Sequence, residues 1–111
     1  MKISIIMCVK DSMPFVIASI KSFQKQNYKN KELIIVYTKG KDTTNHYLNS
    51  LNEKNIKIYN FEGSIYKSLN FGVTKTRGDI IGILHSDDIY FDIKILSRAA
   101  KVFKKKKAQM V

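Results

Sequence analysis

The stretch that most constrains what this chain can fold into is Gly78-Asp79-Ile80-Ile81-Gly82-Ile83-Leu84-His85-Ser86-Asp87-Asp88-Ile89-Tyr90, a short apolar run that stops abruptly at two adjacent carboxylates. A run of this length, bounded by glycine and aspartate, reads as a strand covered on both faces, as in a parallel sheet. Ligands of open α/β sheets gather at the carboxyl ends of the strands, where Asp87 and Asp88 are expected to stand. Two neighbouring carboxylates repel each other, which a cation or a sugar hydroxyl donating hydrogen bonds would relieve. The competing reading is a solvated Ser-Asp-Asp turn capping the next helix, because these residues are common in turns and caps.

The rest of the chain alternates strand and helix signals. Ile3 to Val9 is nearly all apolar and is expected at the centre of the sheet. Asp11-Ser12 then caps a helix, with Met13 and Pro14 in its first turn, Val16, Ile20 and Phe23 on its core face, and Lys21 and Lys25 facing water. Asn27 to Lys31 is a polar turn, and Glu32 to Tyr37 a second buried strand, completing a βαβ unit. Thr43 or Thr44 is expected to cap a helix carrying Tyr47, Leu48 and Leu51 on one face and His46 on the polar side. Asn55 to Phe61 alternates as an edge strand does.

The next helix, Ile65 to about Thr76, repeats Ile65, Leu69 and Val73 as its expected core stripe, and Arg77-Gly78 stops it. After Tyr90, Asp92 is expected to cap a last helix with an apolar stripe of Ile95 or Leu96, Ala99 and Phe103, closed by Lys104-Lys105-Lys106-Lys107. Ala108 to Val111 begins a further apolar element, so the domain is expected to continue in a longer parent. The order β-α-β-α-β-α-β-α with short connections predicts an α/β fold, a three-layer α/β/α sandwich with a mostly parallel sheet.

Composition narrows the function classes. A chain of 111 residues is a single domain, and 44% hydrophobic with 26% charged residues is globular rather than disordered or membrane-spanning. The amino terminus lacks a cleavage signal, so the protein is expected to be soluble and cytoplasmic. Cys8, the single cysteine, forms no internal disulfide and has no ligand-spaced partners. The net charge of +11 invites nucleic acid, an anionic membrane surface or a phosphorylated small molecule. Aromatic and basic residues do not interleave as a nucleic-acid stacking platform requires, so no specific nucleic acid is expected. The lysine run is a helix end favoured by the macrodipole, or a lipid patch. No glycine-rich dinucleotide fingerprint follows the first strand, and there is no Walker-type loop.

The ordered set of motifs resembles the amino-terminal half of family 2 glycosyltransferases, the inverting enzymes with the GT-A fold. Gly63-Ser64-Ile65-Tyr66-Lys67-Ser68-Leu69-Asn70-Phe71-Gly72 is similar to the family's segment of a small residue, Ile-Tyr and Asn-x-Gly, and Arg77 through Tyr90 to its strand and DxD-type motif. Ser4-Ile5-Ile6, Ser22 through Tyr28 and Glu32 through Val36 also fit, so the resemblance spans nearly the whole chain. It implies a Rossmann-like nucleotide-sugar-binding half over residues 1–111, ending before the acceptor-binding half and the catalytic base. It also implies a divalent cofactor, Mg²⁺ or Mn²⁺, held by Asp88 and assisted by Asp87, with Asp87 alternatively on the ribose. Cys8, Val9 and Asp11 would line the base pocket, and Tyr37, Thr38, Ser64, Asn70 and His85 complete the implied donor site. Three positions depart from the family: Tyr37-Thr38 replace the usual Asp after the second strand, Lys10-Asp11 replace Tyr-Asn, and His85 opens the DxD-type motif. His85 is read either as a donor to phosphate or ribose or as a neutral structural residue.

The implied activity is inverting transfer from a nucleoside-diphosphate sugar to an acceptor hydroxyl of a saccharide or lipid-linked sugar, in surface polysaccharide or glycolipid synthesis, with possible peripheral contact at the inner membrane face. The rival readings are a non-catalytic basic module binding nucleic acid or an anionic membrane, and an inactive truncated transferase.

Overall fold

The computed structural model describes residues 1–109. Four strands, β1 (Ile3–Val9), β2 (Lys31–Tyr37), β3 (Ile56–Asn60) and β4 (Ile80–Ile83), form one sheet in the order β3-β2-β1-β4. Every pairing is parallel, with Ile3 beside Lys31 and Ile80, and Leu33 beside Ile56. Four helices alternate with the strands: α1 (Phe15–Gln24), α2 (Thr44–Asn49), α3 (Ile65–Lys75) and α4 (Ile95–Gln109).

Alternation along the central strands divides the core in two. Ile3, Ile5, Met7 and Val9 of β1, with Leu33 and Ile35 of β2, face Val16, Ile20 and Phe23 of α1, Leu48 of α2, and Leu96 and Ala100 of α4. Ile6, Ile34 and Val36 face the other way, towards Leu69 and Phe71 of α3. The result is the expected three-layer α/β/α sandwich, with β1 and β2 central and buried on both faces, and β3 at one edge.

Several local expectations need correction. The α3 stripe of Ile65, Leu69 and Val73 meets the sheet only through Leu69: Ile65 and Val73 are 53% and 46% exposed, while Ser68 and Gly72 are buried. Closeness decides this, because a Cβ on Gly72 would stand 2.7 Å from Ile6 Cγ2 and 3.2 Å from Val36 Cγ2, so small residues face the sheet and the larger ones flank it. The fourth strand is not covered on both faces either. β4 is an edge strand whose Ile81 and Ile83 are 46% and 53% exposed on the α3 side, where no helix lies over them among the described residues.

Ser12 and Thr43 make no capping hydrogen bond; Asp42 Oδ1 accepts from Thr44 N at 2.9 Å instead. In α4, Leu96 and Ala100 are buried while Phe103 is 49% exposed. Asp92 Oδ1 accepts from Lys94 N, and the buried Gln26 reaches across to accept from Leu96 N at 3.0 Å and to donate to Asp92 O at 2.6 Å. Ala108 and Gln109 continue α4 rather than starting a strand, and Met110 and Val111 lie outside the described residues.

Lys31 opens β2 rather than belonging to the preceding turn. Its buried ammonium donates to Phe23 O, Gln24 O and Gln26 O at 2.9, 3.2 and 2.8 Å, satisfying the carbonyls that α1 leaves open at its end. Burial, and to a lesser degree the charge of Lys29, hold its pKa below the usual lysine value.

At the amino edge of the sheet, Glu32 is 1% exposed and ties three segments together. Its Oε2 accepts from Ser4 Oγ at 2.5 Å and from Arg77 N at 2.7 Å, and Lys2 Nζ stands 3.7 Å from Oε1. Gly78 N donates to the same Ser4 Oγ at 2.8 Å, a close approach that leaves no room for a Cβ. Burial pushes the Glu32 pKa up, but the hydrogen bonds from Ser4 and Arg77 and the charges of Lys2 and Lys57 outweigh it and hold the carboxyl below the usual value of 4.5. A carboxyl lowered on folding stabilises the fold above its unfolded pKa, and that contribution is lost as pH falls through the folded value. Glu32→Gln is therefore expected to cost about 2 kcal/mol at neutral pH, and to flatten the loss of stability on acidification below 4.5. Thermal melts of both proteins across pH check this; parallel pH profiles would contradict it.

Candidate nucleotide-sugar site

The carboxyl ends of β1 and β2, the head of α3 and the loop after β4 meet around a crevice of about 320 Å³ lined by Cys8, Val9, Lys10, Thr38, Gly63, Ile65, Ser68 and Ser86. Parallel strands whose helices return on both faces bring their loops to one edge, which is why these sequence-distant segments meet. Of the expected donor set, Cys8, Val9 and Thr38 line this crevice. Burial pushes the Cys8 thiol up, which disfavours the thiolate.

Other members of the expected set stand apart from the crevice lining. Asp11 takes a left-handed backbone (φ 45°), which aspartate tolerates, and its Oδ1 accepts from Lys41 N at 2.6 Å and Asp42 N at 3.0 Å. Its carboxylate thus fastens the loop after β1 to the loop after β2. Tyr37 is buried beneath a larger cleft of about 740 Å³ between α2 and β3, and its hydroxyl accepts from Gly40 N at 3.4 Å. Ser64 caps α3, accepting from Lys67 N at 3.3 Å, and Asn70 is exposed on that helix. Neither cleft is lined by Asp87 or Asp88; the smaller one includes Ser86, the residue that precedes the acid pair.

The acidic loop is a tight turn, with Asp88 N donating to His85 O at 3.0 Å. The side chains of His85, Asp87 and Asp88 are exposed, and among the described residues neither carboxylate accepts a hydrogen bond or joins an ion pair. Their backbone is firmly held. Ser86 Oγ lies 2.8 Å from Ser12 Oγ, the fully buried Ser19 Oγ shares its one proton between Ser86 O, at 2.9 Å, and Asp88 O, and Ser22 Oγ accepts from Tyr90 N at 3.1 Å. Asp79 and Asp92 are elsewhere: Asp79 accepts from Lys2 N at the opposite end of the sheet, and Asp92 pairs with Arg98 at 3.3 Å.

Lys10, Gly63, Ile65, Ser68 and Ser86 line the crevice without having been anticipated. A signal for Ser68 exists in the sequence, since Ser64, Ser68 and Gly72 recur every four residues and mark a helix side that approaches something closely. The serines of α1 had no such signal, because a serine on an apolar helix face looks the same whether or not it grips a loop.

Among the described residues, no three His, Cys, Asp or Glu side chains cluster as a closed metal site. The unpaired Asp87 and Asp88 nevertheless fit an ion of the Mg²⁺ kind, which takes one or two carboxylates and completes its shell with substrate phosphates and water.

The chain belongs to glycosyl transferase family 2, whose signature matches residues 4–111. It is 32% identical over 93 residues to an uncharacterized glycosyltransferase of Rickettsia typhi, RT0329, covering 84% of this chain and 29% of that protein. It is 34% identical over 99 residues to the O-antigen biosynthesis glycosyltransferase WbnJ of Escherichia coli, covering 84% and 38%. Among solved structures, S. aureus TarS 1-349 in complex with UDP-GlcNAc superposes with a TM-score of 0.85 at 24% identity, covering 95% of this chain and 32% of that one. The mannosyltransferase PcManGT of Pyrobaculum calidifontis, in complex with GDP-Man and Mn²⁺, gives 0.77 at 16% identity, covering 90% and 31%. The chain thus has the GT-A fold and spans about a third of the length of these relatives.

Removing the Ser19 hydroxyl is expected to loosen the acidic loop while leaving the helix intact, since alanine favours it. Loss of about 1 kcal/mol of hydrogen bonding corresponds to roughly fivefold faster amide exchange at Asp88 in Ser19→Ala. Unchanged exchange there would show that the loop holds itself.

Proposed function

We propose that this chain is the donor-binding half of a family 2 glycosyltransferase, binding a nucleoside-diphosphate sugar at the carboxyl edge of the sheet for metal-assisted, inverting transfer. The observation that carries the reading is the unpaired Asp87–Asp88 turn, held rigid beside a crevice at the tips of β1 and β2. In the assignment, Cys8, Val9 and Thr38 wall the nucleoside, and Lys10 stands where it can meet phosphate. Asp11 acts by fixing the two loops. Ser64 and Asn70 frame the head of α3, Tyr37 supports the floor behind Thr38, and His85 flanks the acid pair. Asp88, with Asp87, holds Mg²⁺ or Mn²⁺, which when bound offsets charge on the departing nucleoside diphosphate.

Solved neighbours hold UDP-GlcNAc in one case and GDP-Man with Mn²⁺ in another, which supports the donor class and the cofactor. The similarity to WbnJ, an O-antigen biosynthesis glycosyltransferase, supports a role in surface polysaccharide synthesis; to that the reading adds a saccharide or lipid-linked acceptor met at the inner membrane face. Inverting transfer also needs a carboxylate to deprotonate the acceptor. Asp79 and Asp92 are engaged elsewhere, so the reading assigns this chain donor binding and not the complete reaction.

Thermal unfolding with UDP or GDP tests this. One of the two is expected to stabilise the protein in the presence of Mn²⁺, by about 2.7 kcal/mol at a hundredfold excess over Kd. Asp88→Ala is expected to abolish the Mn²⁺-dependent part. No stabilisation by either nucleotide with metal, or an undiminished response in Asp88→Ala, would overturn the reading.

A further inference from the structure

The segment after the acid pair turns three large apolar side chains outward: Ile89, Phe91 and Ile93 are 59%, 86% and 53% exposed. The residues between them are pinned inward. Tyr90 N donates to Ser22 Oγ, its ring packs against the core, and burial pushes its phenol up to about 12. Asp92 O accepts from the buried Gln26. The backbone is therefore tied at alternate positions and cannot fold the apolar residues away, although exposing them to water is unfavourable.

The surroundings are cationic. Lys21 and Lys25, exposed on α1, line the same shallow cleft of about 320 Å³ as Ile89, Phe91 and Ile93. Lys94 and Arg98 follow at the head of α4, and the exposed Lys101 continues their row at helical spacing, opposite the buried Leu96 and Ala100. Asp92, the carboxylate within the segment, is already paired with Arg98.

We propose that Ile89, Phe91 and Ile93, ringed by Lys21, Lys25 and Lys94, form an interfacial docking surface for an anionic lipid bilayer. Charge complementarity selects this occupant. An apolar wedge surrounded by cations matches the acyl boundary beneath anionic headgroups, whereas single-stranded nucleic acid asks for a row of stacking aromatics, and of the two aromatics here Phe91 is exposed while Tyr90 packs against the core. No helix among the described residues is long and apolar enough to cross a membrane. Phe91 lies three residues beyond Asp88, no more than about 11 Å along an extended chain. Docking would thus bring the acid pair to headgroup level, where a lipid-linked sugar presents its hydroxyl. The inference deepens the membrane contact of the proposed function and rests on that reading only for the acceptor.

Co-flotation with phosphatidylcholine vesicles, with and without phosphatidylglycerol, tests it on the whole chain. The protein is expected to float only with the anionic vesicles. Phe91→Ser is expected to lower its partition about tenfold, as is the double variant Lys21→Glu/Lys25→Glu. Lys54→Glu, which reverses one charge where the double variant reverses two and lies in the loop before the edge strand β3, is expected to bind as the wild type does. Absence of flotation would overturn the proposal. So would wild-type flotation of Phe91→Ser, which would reduce the effect to net charge, or a preference for single-stranded RNA over anionic vesicles that Phe91→Ser leaves intact. The nucleotide response measured without vesicles separates the two claims: flotation failing while that response persists removes this surface and leaves the donor site standing.

Discussion

Burial of β1 and β2 on both faces is the constraint from which the rest of the geometry follows. Strands that are apolar on both sides need helices on both sides, and parallel pairing requires each connection to cross back over the sheet. With short, right-handed crossovers, the carboxyl ends of β1, β2 and β4 are forced to one edge. Ile5, Met7, Leu33, Ile34 and Ile35, each 3% exposed or less, thereby determine where Lys10, Thr38 and Ser86 meet.

Polar groups then fix that edge more finely than apolar packing can. At the amino end, Glu32 joins Ser4, Arg77 and Lys2, so the entry to β4 is registered against β1 and β2. At the carboxyl end, Asp11 fastens two loops, and Ser12 with the α1 residues Ser19 and Ser22 holds the segment around Asp87 and Asp88 while leaving both carboxylates free. A net charge of +11 makes an unpaired acidic turn more notable, since cations are plentiful and none among the described residues has paired with it. Rigid backbone with unsatisfied side chains is the arrangement a ligand-binding turn requires, because less ordering entropy remains to be lost on binding.

The fold was legible because its signals are redundant. The strand runs, the helical spacing of Val16, Ile20 and Phe23, and the edge-like alternation after Asn55 all agree with the observed sheet. What could not be read were features set by tertiary closeness. Of the Ile65, Leu69 and Val73 stripe only Leu69 packs on the sheet, because the helix lies so close to Ile6 and Val36 that Ser68 and Gly72 face inward. An apolar strand looks the same whether or not a partner covers it, so the exposed faces of Ile81 and Ile83 had no sequence signal. For the site, the acid pair is readable from the sequence as the end of an apolar run, whereas Cys8, Val9 and Thr38 enter only through the family resemblance. The roles of Asp11, Ser64 and Tyr37 depend on which backbone amide stands nearby, which spacing does not encode.

The central claim is that the turn after β4 and the tips of β1 and β2 together form one metal-and-diphosphate site. Paramagnetic broadening of backbone amide signals by Mn²⁺, recorded with and without nucleoside diphosphate, tests it most directly. The account predicts that broadening is strongest at His85 through Asp88 and, once nucleotide is added, extends to Cys8 through Lys10 and to Gly63. Broadening centred elsewhere, or unaffected by nucleotide, would contradict it.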